Sequence, residues 1–63
     1  MNKAIIEVAV DVKHKTDKAY LVSDGADIEC WIPRSMIEDE CEEKGEITSI
    51  FIPEWLAAKN GLI

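Results

Sequence analysis

The chain is poor in the residues that most function classes require. Among its 63 residues it has one histidine, two cysteines, one tyrosine and one phenylalanine. The cysteines, Cys30 and Cys41, stand in a C-x10-C spacing and allow at most one disulfide. With His14 alone beside them they cannot complete a zinc site without carboxylates or a second chain. No G-x-S-x-G, P-loop or H-E-x-x-H pattern occurs, so the sequence predicts a protein that is not an enzyme, with no cofactor and no metal. Uninterrupted apolar runs are short, as in Ile50-Phe51-Ile52, against the ~20 apolar residues that span a bilayer. No charged segment followed by an apolar one opens the chain, which predicts a cytoplasmic setting with both thiols reduced and buried. Basic residues are scarce too: seven Lys and Arg stand against thirteen Asp and Glu, a net charge of −6. That balance argues against direct binding of a phosphate backbone.

What is present is enough for one small core. A 48% hydrophobic content is too apolar for a disordered acidic tail, and a chain of this length has surface for a single domain, residues 1–63. Ala4, Ile6, Val8, Val10 and Val12 alternate with Ile5, Glu7, Ala9, Asp11 and Lys13, the signature of a half-buried strand. From Lys3 to Val12 it would extend roughly 30 Å, so a bend is expected. His14-Lys15-Thr16-Asp17 reads as the first turn, and His14 as a solvated residue in it.

Asp24-Gly25 separates Lys18-Ala19-Tyr20-Leu21-Val22 from Ala26 to Ile32, a strong hairpin signal. In the later strand Ile28, Cys30 and Ile32 share one face and Asp27, Glu29 and Trp31 the other. Pro33 ends it. From Arg34 to Lys44 no strand period is evident; Ser35 with Glu38 three residues on suggests a capped helical turn. Glu46 to Ile52 is a fourth strand, rich in β-branched residues. Pro53 at the first position, Lys59 near the end and Gly61 beyond it bound a C-terminal helix over Pro53 to Asn60. So short a helix must dock on the sheet, with Trp55 and Leu56 as core anchors. The expected fold is mainly β: a small antiparallel sheet of about four strands, curled into an SH3-like or OB-like partial barrel, with a short C-terminal helix. The alternative is a flatter α+β sheet packed on that helix.

Negative charge is concentrated in the middle third. Residues 24–46 hold nine acids, one Arg and one Lys, a net −7. Such a block can compete for surfaces that hold nucleic-acid phosphates, or it can simply keep a small domain soluble. Trp31, beside Asp27 and Glu29 on an outer strand face, fits either core or interface. The candidate partner-binding residues are Asp27, Glu29, Trp31, Glu38, Asp39, Glu40, Glu42 and Glu43.

The Trp31-Ile32-Pro33-Arg34-Ser35 centre and the Pro53-Glu54-Trp55-Leu56-Ala57 to Gly61-Leu62 tail, with the Lys18 to Val22 strand, resemble a group of small acidic phage- and prophage-encoded proteins. The resemblance spans residues 18–63 and implies a genomic setting, without an assigned activity. Small acidic proteins of phage accessory regions are often inhibitors of host defence, so the expected function, by that association, is a phage accessory protein in the cytoplasm of a host cell that inhibits a host nucleic-acid-handling or defence protein, in the manner of anti-CRISPR proteins, through an acidic, nucleic-acid-mimicking surface. The alternative function is a protein-protein interaction or assembly module that uses exposed tryptophan and apolar surface, for instance as a homodimer. The expected partner is a host or phage protein, with no direct nucleic acid and no membrane.

Overall fold

A computed structural model describes residues 4–63. Among the described residues six strands form: β1 (Ile5–Ala9), β2 (Asp11–Lys15), β3 (Ala19–Ser23), β4 (Glu29–Pro33), β5 (Asp39–Glu43) and β6 (Glu46–Pro53), followed by α1 (Glu54–Lys59). They make two antiparallel three-stranded sheets, in the orders β1-β6-β5 and β2-β3-β4. The mainly β class and the C-terminal helix are as expected; the strand count is higher, for two reasons. The long first strand is divided at Val10, so that β1 pairs with β6 and β2 with β3. The acidic run, read as irregular, is β5. The expected start of the first strand at Lys3 lies outside the described residues.

Val10 is the corner of the molecule. It is 5% exposed, and its N–H donates to Thr48 O at 3.2 Å, the last rung shared with β6. Beyond it the chain turns away to run along β3. His14 and Lys15, expected in a turn, therefore belong to β2, and the register with β3 slips between Val12 and His14. The turn itself is drawn in by Thr16, whose hydroxyl accepts from Ala19 N–H at 3.0 Å. Between β2 and the β5–β6 turn the sheets part, leaving a cleft of about 330 Å³ lined by residues that include Lys13, Lys15 and Glu46. Among the described residues no closed barrel forms.

The core lies between the inner faces. Val8, Ile47, Ile50 and Ile52 come from one sheet and Tyr20, Val22 and Ile32 from the other, with Val10 at the corner and Leu56 and Ala57 from the helix. The two alternation patterns that define β1 and β4 in the sequence hold: Ile6, Val8 and Val10 face inward, and so do Cys30 and Ile32. Turns follow from local chemistry. At the β3–β4 hairpin Asp24 Oδ1 accepts Ala26 N–H at 2.8 Å and Gly25 takes φ +88°. At the β5–β6 hairpin Lys44 and Gly45 both have positive φ, as a type I′ turn requires.

Two expectations about the second half are corrected. Arg34–Met36 is one 3-10 turn with no side-chain cap from Ser35; Glu38 N–H donates to Phe51 O at 2.8 Å, which lays the acidic run on β6 instead of letting a helix grow. Trp55 is not a core anchor: it is 52% exposed, whereas Leu56 is 7% exposed and Ala57 fully buried. The small Ala57 side chain lets the helix approach the sheet closely, and Trp55, about 100° round the helix from Leu56, is turned outward. The helix ends as the sequence indicates, with Gly61 at φ +75°, Gly61 N–H donating to Ala58 O and Leu62 N–H to Ala57 O. Glu54 N–H closes the fold on Ala4 O at 2.8 Å.

Candidate interaction surface

The residues singled out in the sequence fall on, or just before, two of the edge strands, β4 and β5. Glu29 and Trp31 lie on β4, Asp39, Glu40, Glu42 and Glu43 on β5, Asp27 in the β3–β4 loop and Glu38 just before β5. Each of these strands is an edge, hydrogen-bonded on one side.

On β5 the acids divide by strand parity. Asp39 and Cys41 share a face with their β6 partners Phe51 and Ser49, while Glu40 lies opposite Ile50 on the core side. Glu40 is half-buried and accepts the Tyr20 hydroxyl at 3.1 Å, which ties β3 of one sheet to β5 of the other. Tyr20 is 4% exposed, with the Lys15 ammonium 5.7 Å and the Arg34 guanidinium 5.1 Å from its ring centre. Burial first, and then the Glu40 carboxylate that it donates to, hold its hydroxyl above the ordinary phenol range. Glu40 is thus a structural acceptor as well as an acid, a role the residue types alone did not signal. Asp39, Glu42 and Glu43 are exposed.

The β5 edge is shielded. Asp39 Oδ1 accepts Glu40 N–H at 2.8 Å, and the register with β6 shifts between Cys41 and Glu42. A side chain satisfying an edge amide, an inward carboxylate and a bulge all discourage strand addition. Cys41, expected to be buried, is exposed instead, because its side chain shares the outer face with Ser49; its thiol lies 3.7 Å from Glu7 Oε2, which also accepts Ser49 Oγ–H at 2.6 Å. Cys30 is half-buried, and burial, then Asp24, push its thiol up.

Comparison with protein-family models, curated proteins and solved structures returned no match.

Trp31 lies outward on β4 and is 50% exposed. Leu21 of β3 stands opposite it and His14 of β2 opposite Leu21, so the three form a row across the outer face, with the His14 ring edge-on to the indole at 6.1 Å. His14 is the signal the sequence hides, because His14-Lys15-Thr16-Asp17 reads as a turn while His14 lies on β2. A second apolar site surrounds Trp55, where Ile5, Met36, Pro53 and Glu38 line a cleft of about 220 Å³. Among the described residues no three His, Cys, Asp or Glu side chains converge as a metal site, and no helix is long and apolar enough to cross a membrane.

Proposed function

We propose that this chain is a non-enzymatic binding domain, of the phage-accessory kind its sequence resembles, that docks its acidic β5 side on the basic groove of a host nucleic-acid-handling or defence protein and blocks it. The observation that carries this reading is the display of Asp39, Glu42 and Glu43 from one strand that is itself shielded against strand pairing. Charge is then offered to a partner through side chains, as phosphates would offer it, from an edge that resists strand pairing. The reading includes the curled two-sheet frame as an SH3-like or OB-like partial barrel. The test is capture of partners from a bacterial lysate at low and high salt, with Asp39→Asn, Glu42→Gln and Glu43→Gln combined. Three lost surface charge pairs should weaken binding by about tenfold. Binding that ignores both salt and the triple substitution refutes the proposal.

A second reading, an assembly module, is supported by the half-exposed Trp31 in its apolar row.

A further inference from the structure

The β4 and β5 edges differ in what their backbones offer. The ladder joining β3 and β4 has its parity set at both ends, by Arg34 N–H donating to Lys18 O at 2.8 Å and Asp24 N–H donating to Ile28 O at 3.2 Å. In an antiparallel ladder bonded and non-bonded pairs alternate, so Ile28, Cys30, Ile32 and Arg34 direct their amides toward β3. Glu29 and Trp31 then turn their N–H and C=O groups away from β3, along with the carbonyl of Pro33. No turn, loop or cap bond among the described residues reaches these groups, and all three residues are exposed. Unlike β5, this edge has no bulge, no inward carboxylate and no side chain on its amides.

We propose that the β4 edge pairs with β4 of a second copy of this chain, antiparallel and centred on Trp31, to join two three-stranded sheets into one of six. The proposal deepens the assembly reading and does not depend on the acidic-side one. The register follows from the three outward residues. Centring on Trp31 pairs Trp31 with its own copy through two reciprocal bonds and sets Glu29 N–H against Pro33 C=O twice, four bonds in all, while the two Glu29 carbonyls, facing a proline without an amide, stay with solvent at the ends of the ladder. Shifting by two residues in one direction sets Pro33 opposite Trp31 and keeps only two bonds; shifting the other way keeps four but sets Trp31 opposite Glu29, so that the two indoles no longer stand directly across the two-fold. Charge selects β4 over the β5 edge: with this centre no two like charges lie opposite, whereas pairing β5 with itself would stack Asp39 to Glu43 on one another. The two-fold also lays the Trp31 indoles side by side over the sheet, each flanked by Leu21.

The test is sedimentation of the full chain from micromolar to millimolar concentration, with amide hydrogen exchange read at the same concentrations. The expected result is a monomer-dimer equilibrium with concentration-dependent slowing of the Glu29 and Trp31 amides and no such change at Glu40. Two copies of net charge −6 repel, so salt should tighten the dimer, opposite to its effect on a partner held by the acidic side. Trp31→Lys, which sets two ammonium groups face to face, should leave the circular dichroism and melting of the monomer intact and abolish dimerisation. A chain that stays monomeric at millimolar concentration overturns the proposal, as does a dimer whose protection falls elsewhere or survives Trp31→Lys. Protection of Glu29 and Trp31 that appears only with a foreign protein overturns it too, by showing that another strand takes the edge.

Discussion

Replacing Tyr20 by Phe tests the contact that ties the two sheets together. The ring stays, and with it the core packing and the Lys15 and Arg34 cations beside it; one O–H is lost, at 3.1 Å from Glu40 Oε1. A hydrogen bond to a charged acceptor contributes roughly 1.5–3 kcal/mol, but water reaches the half-buried Glu40 and compensates in part, so a loss of about 1 kcal/mol is expected. Against a total of about 3–9 kcal/mol for a domain of this size that is a visible fraction. Urea unfolding followed by circular dichroism should show a midpoint lower by about 1 M, given a slope near 1 kcal/mol/M. The substitution has a second signature in alkali. Because the Tyr20 hydroxyl is raised in the fold, the unfolded chain loses this proton first; the contribution is complete below about pH 10 and fades as pH climbs through the folded value. The parent should therefore lose more stability above that point than Tyr20→Phe does. Equal stability of the two proteins at neutral pH, with parallel decline in alkali, would refute the reasoning and leave the sheets held by apolar packing alone.

The helix should depend on its inner residues: Leu56→Ala is expected to cost about 2–5 kcal/mol and leave the chain largely unfolded, while Trp55→Ala, removing a half-exposed ring and opening no enclosed cavity, should cost about 1–2 kcal/mol, both measured by thermal melting. The thiols should react unequally with a disulfide reagent near neutral pH, Cys41 first because it is exposed and Cys30 later because burial and Asp24 raise its pKa; mass mapping of the first adduct checks the order.

The legible parts of this fold were those where one physical demand acted alone. Strand alternation in Ile6, Val8 and Val10, and again in Cys30 and Ile32, reports burial directly, and Asp24-Gly25 and Gly61 report local backbone needs. The acidic run hid its strand because burial was not what shaped it: β5 is an edge with Glu40 turned inward to a tyrosine 20 positions away, a partner no local pattern discloses. Trp55 misled for a related reason. Its size suggested an anchor, but the helix docks through Ala57, where smallness matters more than area. Of the candidate site residues, the types and the outward faces of Glu29 and Trp31 were readable, while the difference between an open β4 edge and a shielded β5 edge came from hydrogen bonds alone.

The corner at Val10 also governs the order in which the molecule can assemble. The pairs β2-β3, β3-β4 and β5-β6 each join strands that are neighbours in sequence, and can zip from their turns at little entropic expense. β1 has no such neighbour: it must find β6 across 48 intervening steps from Ile5 to Pro53, a closure of roughly 3.4 kcal/mol by the logarithmic loop law. Two local hairpin units therefore form early, and the search that limits the folding rate is the capture of a single short strand between them. Once β1 lands, the Val10 rung fastens both sheets to one backbone, so the slowest contact is also the one that makes the domain cooperative.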